Sequence, residues 1–429
     1  MQLTHQPNKA GSIRLALAAA SGALLATVPA HAQSTGGANG LRVDSALLLY
    51  SEAGGRVQAV EPMIAVKYAD GNDRSYGLKL TLDALTGASP NGAAPQPTAQ
   101  TFTSPSGEGR YSAGPNEIPL DNSFKDTRVA LALSHERPFG TDQRLSLGGN
   151  VSAEHDFQSL SVNVGLARDY NQRNTTVSVG TSFEFDKINP VGGVPQGMQP
   201  AYSGHGEGSS KTRSVADLLL GVTQVMNRRW ITQINLGLGR GSGYQTDPYK
   251  VVSVVDGTTG LLAGPRYVHE NRPDNRTRRS LYWQNKVHLT EDVIDVAYRW
   301  YGDSWGVTAH TFDARYRWEL GRSVYLEPHA RYYRQSAADF WHGWLVNGTD
   351  TNGSLAYASA DPRLAKFSAT TVGLKLGVPT SRNGEFSVRL EHYQQKMAQP
   401  ANAPGYLATV RLMDDLKATT LMVGYSFDY

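Results

Sequence analysis

From about Val43 to its last residue the chain repeats one pattern, segments of roughly 10 to 15 residues in which apolar and polar side chains alternate. Alternate residues of a strand point to opposite faces, so this period specifies strands with one greasy and one wet face. Residues 281–290 show it well: Leu281, Trp283, Val287 and Leu289 oppose Tyr282, Gln284, Lys286, His288 and Thr290. In the next three segments, Asp295 and Arg299, then Asp313, Arg315, Arg317 and Glu319, then Glu327, His329 and Arg331 occupy the polar face. A soluble sandwich alternates too, but it buries the apolar face and seldom carries aromatics at its strand ends. Here Tyr68, Tyr76, Phe183, Phe185, Trp300, Tyr316 and Trp318 stand at such ends, as in the interfacial girdles of a membrane barrel.

The connections carry a second signal. Short turns are expected near residues 70–73, 138–142, 171–174, 226–228, 290–292, 320–322 and 379–384. They alternate with connections that include every long one: 87–125, 188–212, 245–275, 336–362 and 398–411. Connections at 52–55, around Phe157 and at 303–305 are short members of that second set. Short turns on one side and long loops on the other describe an outer-membrane barrel, all-β and antiparallel, with about 16 strands (14 to 18). The count can shift by two, because strand boundaries and loop hairpins such as 251–255 are the weakest part of the reading.

At the start, Lys9 and Arg14 precede an apolar run of about 14 residues, and Ala30-His31-Ala32 offers a cleavage site; the run falls short of a membrane-spanning helix. Residues 1–32 are therefore expected to be a signal peptide, 33–42 a short periplasmic segment and 43–429 the barrel. That segment is too short for the plug of an energised receptor or the passenger of an autotransporter. At the other end Leu421, Val423, Tyr425, Phe427 and Tyr429 alternate to an aromatic terminus. Tyr425, Phe427 and Tyr429 resemble the signal read by the barrel-assembly machinery, an expected partner together with outer-membrane lipid. There is no cysteine, hence no disulfide or thiolate chemistry. The 41 basic and 38 acidic side chains become 39 against 38 once Lys9 and Arg14 are removed, so a nucleic-acid partner is not indicated.

Candidate chemistry centres on the polar face. Lys286, His288, Asp295, Arg299, Asp313, Arg315, Arg317, Glu319, Glu327, His329 and Arg331 crowd both signs of charge onto four neighbouring strands. They either line a path that selects a charged solute or pair across the wall and stabilise it, and pairing is the simpler expectation. Glu154-His155 and Glu391-His392 look like ligand pairs, but consecutive strand residues diverge, so no metal site is expected. No His, Ser and carboxylate are forced together, so no catalytic residues are assigned. The series Gly237, Gly239, Gly241 and Gly243 lacks phosphate-loop spacing; it leaves room in the lumen or bends a strand. Phe340, Trp341, His342 and Trp344 form either an exposed binding platform or an inward cap.

Several passages are similar to a bacterial family catalogued as domain of unknown function 3570, held to be outer-membrane barrels. They are Leu85-Thr86-Gly87-Ala88-Ser89-Pro90-Asn91-Gly92, Thr101-Phe102-Thr103-Ser104-Pro105-Ser106-Gly107, and the stretch 119–128 with Phe124-Lys125-Asp126-Thr127-Arg128. Gly165-Leu166-Ala167-Arg168-Asp169-Tyr170, Asn189-Pro190-Val191-Gly192-Gly193-Val194-Pro195 and Ala360-Asp361-Pro362-Arg363-Leu364 add to them. The resemblance spans nearly all of the mature chain. It supplies no site residues or cofactor. Relatives lie near genes for covalent flavin attachment and thioredoxin-like proteins, which implies an envelope redox partner.

The leading expectation is thus a channel for small polar solutes in the Gram-negative outer membrane. The alternative is a non-transporting barrel that anchors or houses a redox partner, and the third reading is an outer-membrane enzyme. General-porin behaviour is not expected, because the third extracellular connection, near Phe157, is too tight to form a constriction.

Overall fold

The computed structural model describes residues 39–103, 110–201, 206, 208–321, 324–380 and 383–429, with backbone alone at 122–124. The expected signal peptide, residues 33–38, motif residues 104–107 and turn residues 322 and 381–382 lie outside the described residues. In chain order the strands are β1 (Asn39–Glu52), β2 (Gln58–Asp70), β3 (Ser75–Pro90), β4 (Gln100–Thr103), β5 (Arg110–Ala113), β6 (Leu120–Pro138) and β7 (Gln143–Ala153). Then come β8 (Phe157–Tyr170), β9 (Thr175–Ile188), β10 (Lys211–Asn227), β11 (Trp230–Gly243), β12 (Val251–Val255), β13 (Leu262–His269) and β14 (Asn275–His288). The last are β15 (Val293–Asp303), β16 (Thr308–Leu320), β17 (Val324–Gln335), β18 (Leu345–Val346), β19 (Phe367–Thr380), β20 (Gly384–Met397) and β21 (Leu416–Asp428).

Sixteen of these close an antiparallel barrel, omitting β4, β5, β12, β13 and β18. At the seam β1 pairs with β21, Leu47 opposite Val423, and the backbones of Leu41 and Tyr429 exchange hydrogen bonds of 2.9 and 2.7 Å. Closure leaves no open sheet edge, the condition for strands to cross hydrocarbon. The alternation turns one face out: Val60, Ile64, Leu133, Val162, Leu236, Leu374 and Leu390 are all exposed, as are Tyr68, Tyr76, Phe183, Phe185 and Trp318. Trp300 and Tyr316 of the expected girdle are half-buried.

Seven connections of two to four residues occupy the end that holds both barrel termini, and every long connection lies at the other. The long connections are not open loops. β3 continues to Pro90 and β6 starts at Leu120, three decades of sequence apart yet paired, with a bulge where Gly87 adopts φ +145°. A Cβ on Gly87 would sit 2.5 Å from the Arg56 carbonyl oxygen, so the approach requires glycine. β4 and β5 pair as a hairpin, and β13, β12 and β18 form a separate sheet. The expected loop hairpin at 251–255 is β12, paired with β13 outside the barrel; it lacks alternation because both of its faces are buried.

Around that sheet the loops share a core. Val252, Val254 and Leu345 are fully buried with Val268 and Ala358; Phe102 and Tyr111 pack on Val251 and Tyr267; Leu407 packs on Val255. Each large aliphatic side chain buried this way contributes about 1.5 to 3 kcal/mol. Four loops thereby lock into one cap at a single end of the barrel.

Candidate functional site: inner wall and loop cap

Some polar side chains bridge over an intervening strand, which only the concave face of a closed sheet allows. Arg278 on β14 reaches Asp217 on β10 at 3.0 Å across β11, and Tyr325 on β17 reaches Glu385 on β20 at 2.7 Å across β19. Small residues make the crossings possible. A Cβ on Gly239 would lie 2.2 Å from Asp217 Oδ1, and one on Gly377 would lie 2.1 Å from the Tyr325 ring. The glycine series of β11 thus leaves room for side chains from its neighbours, one of the two roles expected of it.

The eleven polar-face candidates all lie on this concave side. His329 on β17 sits between Asp313 (3.0 Å) on β16 and Glu391 (2.9 Å) on β20, over Gly373 of β19. Asp313 also takes Arg331 at 2.6 Å and, loosely, Arg315 at 3.6 Å. Arg389, which sequence reasoning missed, joins Glu391 (3.2 Å) to Glu327 (3.0 Å). Arg317 pairs with Glu319 at 2.5 Å and stacks its guanidinium on Tyr325 at 3.6 Å, while Lys286 lies 3.5 Å from Asp295. Nine of the eleven are therefore ion-paired: six of them between strands, and Arg315, Arg317 and Glu319 only along β16. The exceptions are His288, exposed at the turn end of β14, and Arg299, half-buried on β15; neither has an ion-pair partner among the described residues. Of the two suspected ligand pairs, Glu391-His392 diverges as expected, but Glu154-His155 lies in the connection 154–156 and not on a strand, so the strand argument does not apply to it. Among the described residues no group of three or more His, Asp or Glu is placed to hold a metal ion.

Beneath the cap runs a feature that the sequence did not bring forward. Tyr50, Tyr301, Tyr333 and Tyr393 each donate from the hydroxyl to an acceptor two residues further along: Glu52, Asp303, Gln335 and Gln395, at 2.9, 2.8, 2.6 and 2.7 Å. The signal was present as Tyr-x-(Glu, Asp or Gln) on four strands running toward the cap, but it is too short to stand out without the register.

The cap holds a buried ionic knot. Glu270 and Asp361 are 0% and 1% exposed, and Arg272 bridges them at 2.7 and 2.8 Å. Arg363 pairs with Asp361 at 2.5 Å and Asp247 at 2.9 Å, and Lys250 donates to the Pro90 carbonyl. Burial pushes the Glu270 carboxyl up, against Arg272, and pushes the Lys250 ammonium down. Burial would raise Asp361 too, but Arg363 and Arg272 outweigh it and hold the group well below the usual carboxylate range. The aromatic loop folds into this cap: Phe340 lies edge-on to Trp305 at 5.1 Å, and Trp341 Nε1 donates to the Asp361 carbonyl at 3.1 Å. Of the two readings of that loop, the arrangement is the cap.

A closed sixteen-strand barrel with an apolar exterior, a charged concave face and all long loops at one end is a β-barrel of the outer-membrane type. Residues 14–427 match the family described as protein of unknown function, DUF3570, and the chain belongs to that family. A search of curated proteins found no match. Among solved structures the chain is similar to CdiB from Acinetobacter baumannii, with TM-score 0.45 and 8% identity over 90% of this chain and 60% of that one. It is similar to the siderophore receptor PirA from Acinetobacter baumannii, with TM-score 0.41 and 10% identity over 84% and 53%. OccK5 (OpdH) from Pseudomonas aeruginosa gives TM-score 0.40 and 8% identity over 91% and 98%. The chain thus spans 60% or less of the first two, and these likenesses concern fold alone.

Proposed function

We propose that the protein is an outer-membrane channel for small polar solutes, with the charged inner wall as its path and the loop cap as its gate. The observation that carries this reading is the contrast between wall and cap. Pairing leaves the wall cations wetted, with Lys286, Arg315, Arg317 and Arg331 side chains 35% to 47% exposed, whereas the cap excludes solvent from its core. About sixteen strands enclose a water-filled interior unless loops occlude it. Paired charges of both signs suit a small polar or charged solute better than an apolar one.

The test is single-channel recording in planar bilayers, with the intact barrel and with residues 250–268 and 340–361 excised. Small, infrequent steps from the intact protein and large, persistent steps from the trimmed one are expected. Silence from both overturns the channel. It favours instead a barrel that anchors an envelope partner, a reading supported by the packed cap.

A further inference from the structure

The four tyrosine–acceptor pairs form a stair. Tyr301 on β15 is registered with Ala309 on β16, which is registered with Gln335 on β17. Tyr333 on β17 meets Ala369 on β19, and that alanine meets Gln395 on β20. Tyr393 on β20 meets Ala418 on β21, which meets Glu52 on β1. The same three-residue rung thus recurs three times around the wall, ending at Tyr50. Ala309, Ala369 and Ala418 are only 2% to 4% exposed although they face the interior, so the larger rung side chains lie over them. The rings themselves are partly buried, Tyr301 against the Trp305 and Phe340 cluster and Tyr333 against Phe367. Successive tyrosines stand two strands and two residues apart, about 12 Å between Cα atoms, a span of two to three sugar units.

The chemistry of the rungs is selective. Each hydroxyl is committed to its own acceptor, so what a ring offers a solute is its apolar face. Beside Tyr393 and Tyr50 the acceptors Gln395 and Glu52 are partly exposed, whereas Asp303 beside Tyr301 is engaged by Arg276, Trp305 and Val307 and Gln335 beside Tyr333 is buried. Arg299 lies one inward position below Tyr301, registered with Tyr282 on one side and with Thr311 on the other, and Thr311 is registered with Tyr333. It is a guanidinium without a carboxylate among the described residues, on a wall where most charges are paired. A flat C–H face, many hydroxyl donors, a length that spans the ring spacing and a carboxylate are the features of an acidic oligosaccharide. A small aromatic acid would use one rung only.

We propose that the stair is a binding track for acidic oligosaccharides, with pyranose rings stacked on Tyr301, Tyr333, Tyr393 and Tyr50 and a uronate carboxylate at Arg299. This deepens the channel reading by naming a solute class, and it is tested without conductance. Calorimetry in detergent would use hexagalacturonate, galacturonic acid and cellohexaose as probes, with heat-modifiable gel mobility reporting the fold of each variant. Hexagalacturonate is expected to bind more tightly than either comparison sugar. Tyr333→Ala should weaken it roughly tenfold, Tyr333→Phe should change it less than about twofold because the ring remains, and Arg299→Gln should erase the preference over cellohexaose. No binding by the folded barrel at millimolar sugar overturns the track. So does monomer binding as tight as hexamer, or equal loss in Tyr333→Phe and Tyr333→Ala, which would mark the hydroxyl tie as merely structural. Conductance without sugar binding removes the track and leaves the channel, whereas binding without conductance does the reverse.

Discussion

Replacing Arg272 with methionine isolates the energy that holds the cap shut. The side chain is of similar length, but Glu270, 0% exposed, loses its 2.7 Å ion-pair partner, and Asp361 keeps only Arg363. Removing one partner of a buried pair costs about 3 to 5 kcal/mol, so the open fraction of the cap should rise by about two to three and a half orders of magnitude. The assay is open probability in planar bilayers beside trypsin cleavage of residues 244–274 in the folded barrel. The effect carries a pH signature. Glu270 has a folded pKa raised above its ordinary 4.5, so its contribution to closure is present below that value and is lost as pH rises through the folded pKa. Without Arg272 the carboxyl rises further, and the variant's defect should be largest near pH 8 and shrink toward pH 5. Asp247, Asp361, Arg363 and Lys250 face the same knot, and half-buried His269 and His342, both lowered by desolvation, add their own slopes. The histidine slopes are common to both proteins and cancel in the difference, and Asp361, still paired with Arg363, stays ionised over this range. Open probability and cleavage within twofold of the parent at pH 8 would refute the reasoning.

Deleting Tyr429, whose backbone closes the seam against Leu41, should reduce the heat-modifiable barrel recovered in outer-membrane fractions; normal recovery counts against Tyr425, Phe427 and Tyr429 as an assembly signal. Gly377→Val should force the Tyr325 ring off Glu385 and Arg317, destabilising the barrel by about 1 to 3 kcal/mol, read as an earlier loss of the heat-modifiable band on warming. Arg315→Glu removes the most loosely paired of the candidate wall cations while Asp313 keeps Arg331 and His329, so reversal potential in a salt gradient should shift toward cations; an unchanged potential means that the wall charges serve only the barrel.

How much of this was legible follows from where a period of two is physically required. A strand with water on one side and lipid on the other must alternate, so the segments holding Lys286, Asp295, Asp313 and Glu327 could be read directly, face included. The β12 run 251–255 shows no such alternation, because both of its faces are buried, and it was legible only as a hairpin within a long loop. β1 begins at Asn39, four residues before alternation becomes visible at Val43, because Gly40 contributes no side chain to the pattern. The ionic knot was invisible for another reason. Asp247, Glu270, Arg272, Asp361 and Arg363 look like ordinary solvated loop charges until four loops are folded over them.

Register, which no single segment contains, also decides how wall and cap communicate. Asp303 accepts the Tyr301 hydroxyl and also the backbone amides of Trp305 and Val307 in the connection above it. Gln335 accepts from Tyr333 and donates to the Arg363 and Ala365 carbonyls, beside the ionic knot. Glu52 accepts from Tyr50 and from the Val57 amide. Ring, acceptor and loop stand in one hydrogen-bonded line on three strands, so a solute that displaces a ring acts on the group that anchors a loop. On the proposed channel reading wall and cap are two ends of one device, and an alteration at either is expected to register at the other through these three acceptors.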